Sequence, residues 1–348
     1  MNKKVYILSF VAVILGLIAG AFFMLVTNNN PLDGYYYLFR GGLMNIERFG
    51  NTLATATTLV FTGLSVAFAF RTGLFNIGAS GQMLMGGLWA TAIALTFQWP
   101  KPILLTVIII GAALSGGLWG GISGWLKGRF NVNEVVSTIM LNWTAYWIIY
   151  YVIPKYFKGA FLETESRRIP QEASLRVEWL SSLFNGSYIN LGFFLAIIVT
   201  IIIAFILNKT TLGYELKAVG FNRLAAEAAG INVQRNIMLS MMISGALAGL
   251  GGAVFYVGYA SNMQIGVLPA QGFDGIAVSL LGANSPFGVF VAALFFGLLH
   301  SGKGFMSAMT SIPPEIADTI IATIIYFAAT SILIEKLWDR FRRKGGRE

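Results

Sequence analysis

Cysteine is absent from this chain of 348 residues. That excludes a disulfide framework, a thiolate metal site and a cysteine nucleophile. Histidine occurs once, at His300, so no multi-histidine metal cluster can form. Charge is scarce at 11% of residues, whereas a soluble domain carries about 25% because a water-facing surface needs it. No Gly-x-x-x-x-Gly-Lys-[Ser/Thr], His-Glu-x-x-His or Gly-x-Ser-x-Gly occurs, which argues against ATP binding through a P-loop and against a membrane hydrolase. What the chain does have is apolar: 56% hydrophobic residues and a mean hydropathy of +0.71. The bilayer must be the solvent for most of it. A secreted domain, a disordered regulator and an ordinary cytosolic enzyme are excluded.

A helix rises about 1.5 Å per residue, so roughly 20 apolar residues cross a ~30 Å hydrocarbon core. Such runs occupy 5–26, 51–70, 74–97, 103–126, 134–153, 190–207, 236–258 and 314–334. The first is too long for a signal-peptide core, and Asn28-Asn29-Asn30-Pro31 is no small-residue cleavage site, so it reads as an uncleaved helix. Segment 272–301 is apolar but interrupted at Gly282-Ala283-Asn284-Ser285-Pro286, and reads as a pair of short helices.

The net charge of +9 does not point to nucleic acid, because the basic residues cluster at the ends of apolar runs. Their asymmetry orients the chain. With the N-terminus inside, the cytoplasmic set includes Lys127, Arg129, Lys209, Lys217, Arg223, Arg235 and the basic tail 335–348. It outnumbers the outer set of Arg40, Arg48, Lys101, Lys155, Lys158, Arg167, Arg168 and Arg176. Both termini then lie in the cytoplasm and the number of crossings is even. The fold expected is a single all-α polytopic transmembrane bundle over 1–348. It has eight full spans plus a broken or re-entrant pair, or ten if the pair crosses. An outer loop at 154–189 reads as a small folded cap. An inner loop at 208–235 carries a short helix over Leu224 to Ala229, rich in good helix formers, with Gly230 placed as the C′ glycine that ends it.

Within the spans, Gly116, Gly120 and Gly124, and Gly245 with Gly249, recur at spacing four, which lets helix backbones approach closely. Asn76, Ser80 and Gln82 interrupt an apolar stretch, and Asn142 lies inside span 134–153. Polar groups at that depth face protein or a cavity, so both pathway lining and interhelical hydrogen bonding are open. Asp274 sits among glycines at the start of the broken segment, with functional and structural readings evenly balanced. Glu134, Glu315 and Asp318 open helices, where acids favour the dipole. His300 reads as a satisfied helix-end histidine. On this reading, Asn76, Gln82, Asn142 and Asp274 are the pathway candidates.

Four blocks carry a family resemblance: Ala-Phe-Arg-Thr-Gly-Leu-Phe-Asn-Ile-Gly-Ala-Ser-Gly-Gln (69–82), Asn-Glu-Val-Val-Ser-Thr-Ile-Met-Leu-Asn (133–142), Gly-Tyr-Glu-Leu-Lys-Ala-Val-Gly-Phe-Asn (213–222) and Gly-Phe-Asp-Gly-Ile-Ala-Val-Ser-Leu-Leu-Gly-Ala-Asn (272–284). The chain resembles permease subunits of bacterial ABC importers for branched-chain amino acids, ribose and nucleosides. Within that group it is most similar to the larger permease of nucleoside (guanosine-type) uptake systems. The resemblance implies a multi-pass plasma-membrane subunit that does no covalent chemistry. It also implies an ABC ATPase partner, a second homologous permease and an extracellular substrate-binding lipoprotein. No cofactor belongs to this chain on that reading; ATP and Mg belong to the ATPase. Glu227, Ala228, Ala229 and Gly230 would form the helix that docks on it. Relatives commonly carry Glu where Ser80 stands, which puts a charge-based role there in doubt. Ribose or another small polar solute is the alternative cargo. A stand-alone secondary transporter would need a midplane carboxylate pair or paired broken helices, and the sequence has only one clearly broken segment. A purely structural scaffold is disfavoured by the polar candidates.

Overall fold

A computed structural model describes residues 3–330, so the tail 335–348 and the end of run 314–334 lie outside the described residues. The described chain is all helical. In order the helices are α1 (Lys3–Val26), α2 (Pro31–Leu43), α3 (Ile46–Arg71), α4 (Ala79–Thr96), α5 (Lys101–Phe130), α6 (Glu134–Tyr156) and α7 (Glu178–Leu183). They continue as α8 (Gly192–Lys209), α9 (Thr211–Phe221), α10 (Arg223–Ala228), α11 (Val233–Ala253), α12 (Ala270–Leu281), α13 (Pro286–Met309) and α14 (Pro314–Ala329). A π-helical turn, Val254–Ala260, extends α11 without a break. Among the described residues, 7 helices are long and apolar enough to cross a membrane: α1, α3, α5, α6, α8, α11 with its π turn, and α13.

The core is organised on α3, buried along nearly its whole length. Its hydroxyls do not conflict with that burial, because they bond their own helix or a neighbour: Thr52 donates to the Gly42 carbonyl of α2 and Ser65 meets Ser244 of α11. Thr57 Oγ1 donates to the Leu53 carbonyl at 2.7 Å and Thr62 Oγ1 to the Thr58 carbonyl at 3.3 Å. Beside it, α5 and α11 meet backbone to backbone. A Cβ on Gly116 would come within 2.7 Å of the Gly249 Cα, and one on Gly245 within 3.0 Å of the Gly120 Cα. The spacing-four glycines thus do what small residues do in lipid: they replace side-chain packing with direct helix contact.

Three departures from the sequence expectation follow from local chemistry. The run at 74–97 is helical only from Ala79, because residues 74–78 are non-helical backbone held by side-chain hydrogen bonds. Helix α2 has no counterpart among the apolar runs, because its 13 residues with one buried face are too short to carry a spanning signal. Asn30 caps it, accepting from the Leu32 N–H, and Pro31 begins it. The interrupted segment is one short helix and one long one, since α13 has 24 residues, about 36 Å at 1.5 Å each. Its turn places Ala283 and Asn284 at positive φ (54° and 51°), with Asn284 Oδ1 accepting from Ser279 Oγ at 2.7 Å.

The segment from 157 to 191 folds over one end of the bundle. Isolated antiparallel bridges join Lys158 to Ser166 and Glu165 to Gln264. Backbone bonds from Ser166 N to Met263 O and Ile169 N to Ser261 O, each 2.8 Å, tie it to the end of the π turn.

Candidate functional site

A cavity of about 490 Å³ opens at the end covered by that segment, within the 300–1,000 Å³ typical of ligand pockets. Helix α3 supplies Arg48, Asn51, Thr55 and Thr58, and α12 supplies Gln271 and Asp274. His300 and Lys303 come from α13, while Phe255 and Tyr259 of the π turn and Tyr188 of the covering segment form an aromatic side.

The charges on its wall are largely spoken for. Asp274 Oδ2 lies 3.3 Å from His300 Nε2. Lys303 Nζ donates to both carboxylate oxygens of Asp318, at 2.8 and 3.2 Å. Arg48 donates to the Gly41 carbonyl at 3.2 Å and lies 4.3 Å over the Phe305 ring. With Arg48 and Asp274 of opposite sign, the lining offers rings and dipoles without a strong net charge, as an uncharged polar solute requires.

Of the four sequence-derived candidates, only Asp274 is on this cavity. Asn76, Gln82 and Asn142 are brought together elsewhere, in a buried network. Asn76 Nδ2 donates to Gln82 Oε1 at 2.8 Å and Ser244 Oγ at 2.7 Å, and its Oδ1 accepts from Gly78 N at 2.9 Å. Asn142 donates to the Ile77 carbonyl at 3.0 Å and accepts from Gly81 N at 2.8 Å. These bonds satisfy the non-helical backbone before α4, the condition under which irregular backbone survives at membrane depth. Ser80 donates to the Pro269 carbonyl at 2.9 Å, tying the same segment to the start of α12.

Sequence reasoning missed the aromatic side. Phe255 and Tyr259 sit in an apolar run and look like core. In the π turn they stand with rings stacked, centroids 5.8 Å apart at 21°. Tyr188 tilts against Tyr259 at 5.6 Å. Arg176 donates from Nε to the Gly258 carbonyl at 2.7 Å and from Nη2 to the Tyr259 carbonyl, with its guanidinium 4.4 Å over the Tyr188 ring. Burial lowers the Arg176 pKa from its ordinary value.

At the opposite end of the bundle, α10 is capped by Asn222, whose side chain accepts from Ala225 N at 3.1 Å. It ends in a Schellman arrangement: Ile231 N donates to Ala226 O and Gly230 N to Glu227 O, with Gly230 at φ +82°. Ala226 packs inward, while Ala225, Glu227, Ala228 and Ala229 are exposed. Phe221 and Leu224 stand beside them, 91% and 78% exposed. Glu134 does not itself cap α6; Asn133 does, and Glu134 pairs with Lys127 at 3.0 Å.

Membrane-length helices enclosing a polar, aromatic-walled cavity open at one end define a membrane transport protein. The family model described as branched-chain amino acid transport system / permease component matches residues 48–329, and the chain belongs to that family. It is therefore a transport subunit and not an enzyme, a multi-pass protein of the plasma membrane. It is 43% identical over 96% of both chains to the guanosine ABC transporter permease protein NupP of Bacillus subtilis. It is 40% identical to the nucleoside ABC transporter permease protein NupB of Lactococcus lactis, covering 96% of this chain and 94% of that one. Identity to the glucose ABC transporter permease protein TsgB13 of Haloferax volcanii is 30%, over 92% and 86%. No solved structure matches.

Proposed function

We propose that this chain is one permease of an ATP-driven importer that carries nucleosides into the cell. The observation that carries the reading is its full-length similarity to two permeases named for guanosine and nucleosides, joined to a cavity whose lining suits an uncharged polar solute. An extracellular binding lipoprotein delivers the nucleoside to the cavity end, and a second homologous permease completes the pathway. The ATPase, which holds ATP and Mg, docks on Glu227, Ala228, Ala229 and Gly230. Asp274 lines the outer part of the route. Asn76, Gln82 and Asn142 belong to its inner part, opened when the helices separate: Ser65, bonded to Ser244 at 3.0 Å, lies seven residues or about 10 Å along α3 from Thr58.

This reading puts both termini in the cytoplasm. Helix α12 brings the chain back inward before α13 crosses, which gives ten crossings with α4 and α14 included. Radiolabelled guanosine uptake, compared in cells with and without the gene and competed by ribose and by glucose, is the test. Uptake should depend on the gene and resist sugar competition. Gene-dependent sugar uptake without guanosine uptake would overturn the nucleoside assignment.

A further inference from the structure

We propose that Phe255, Tyr259 and Tyr188 form the face on which the nucleobase stacks during transport, with Arg176 as the residue that positions them. This rests on the nucleoside reading and goes further, to the residues that select the base. A nucleoside has two unlike halves, a flat unsaturated base and a hydroxylated sugar. The cavity is two-sided in the same sense. Its aromatic rings lie on one side, and Asn51, Thr55, Gln271 and Asp274 supply donors and acceptors on the others. A free sugar presents only C–H faces to such rings, without the flat unsaturated half that stacks on them.

The backbone explains why the wall is there. In a π turn the bonding is i→i+5 rather than i→i+4, and such turns frequently mark functional sites. Tyr259 follows Phe255 by four residues, so the two side chains share a helix face, and their rings lie 21° from parallel. The turn ends at Ser261, at φ 64°, leaving its last carbonyls without helical partners. Arg176 takes two of them, those of Gly258 and Tyr259, and lays its flat face on Tyr188. One side chain therefore fixes the turn and orients the third ring.

The experiment uses the whole importer, with ATPase and partner permease, in nanodiscs. It is photolabelled with 8-azidoguanosine and mapped by mass spectrometry. Adducts are expected on Tyr188, Phe255 or Tyr259, suppressed by guanosine but not by ribose. Base stacking on an aromatic side chain makes Tyr259→Leu weaken guanosine protection about tenfold, while Tyr259→Phe retains it. Arg176→Gln should raise the guanosine concentration needed for half-protection, a value that mere loss of folded protein would not move. Wild-type guanosine uptake is measured alongside: if it is absent, the nucleoside reading itself fails. If it is present while adducts fall elsewhere and Tyr259→Leu protects as wild type does, the stacking face alone is overturned.

Discussion

Asp274 and His300 face each other across the cavity wall at ion-pair distance, 3.3 Å from Oδ2 to Nε2, each side chain about four-fifths buried. The contact is out of line for a hydrogen bond, and Nε2 has no hydrogen-bond partner. Asp274 thus keeps acceptor capacity for a solute, while Nε2 is too deeply buried to meet one. Asp274→Asn removes the charge and halves the acceptor capacity at almost constant volume. Loss of a hydrogen bond to a charged group corresponds to about a tenfold fall in uptake, with yield of the assembled complex unchanged. Wild-type uptake by this variant would remove Asp274 from the pathway.

Asn142 should behave differently because in the closed bundle its bonds also hold the backbone before α4. Asn142→Leu leaves the Ile77 carbonyl and the Gly81 N–H unpaired in the interior, at about 1–3 kcal/mol for each buried group. The expected result is a lower melting temperature of the detergent-purified complex, and the same for Asn76→Leu. An unshifted transition would mean that residues 74–78 hold themselves without these side chains.

The contact between α5 and α11 permits no Cβ on Gly116, Gly120, Gly245 or Gly249. Gly245→Leu should abolish the folded chain, since its side chain would enter the α5 backbone near Gly120. Gly304→Ala meets nothing within 4 Å and should accumulate normally. Membrane-fraction yield, with size-exclusion profiles, separates the two; equal yields would contradict the close approach.

For α10, Gly230→Val forces a β-branched residue to φ +82°, a strain of about 1–3 kcal/mol, and should break the Schellman turn and uncouple transport. Ala228→Trp adds bulk to an exposed face and should dissociate the ATPase. Glu227→Gln should do little, because an exposed ion pair is worth under about 1 kcal/mol. Retained ATPase and normal transport in Ala228→Trp would rule this helix out as the docking element.

Orientation is tested with the same residue. Glu227→Cys introduces a single thiol into a chain that has none, and an impermeant maleimide should leave it unlabelled in intact cells and label it after lysis. Labelling in intact cells reverses the topology.

Much of this was legible because it depends on local rules. Gly116 and Gly245 announce a backbone contact by spacing, and Gly230 announces its C′ role by following a run of helix formers. Asp274 stood out because a carboxylate is rare in an apolar run. Helix α2 hid because 13 residues with one apolar face carry no spanning signal. The aromatic wall hid for another reason. Phe255 and Tyr259, four residues apart in an apolar run, look like one more core stripe, and Tyr188 joins them from a segment far away in sequence. The fate of Asn76 and Asn142 was undecided in the sequence because both of its readings, lining and bonding, ask for the same residue type.

Helices that touch through side chains can slide as rotamers change, but α5 and α11 meet backbone to backbone at Gly116, Gly120, Gly245 and Gly249. They form one stiff member. Its α11 half runs from the short stretch after Gly230 to the π turn that carries Phe255 and Tyr259, 21 helical residues or about 31 Å before that turn begins. A push delivered at the Gly230 end has no soft layer in which to dissipate along α11. On the proposed docking of the ATPase at α10, such a push would reach the aromatic wall as a displacement of the whole strut.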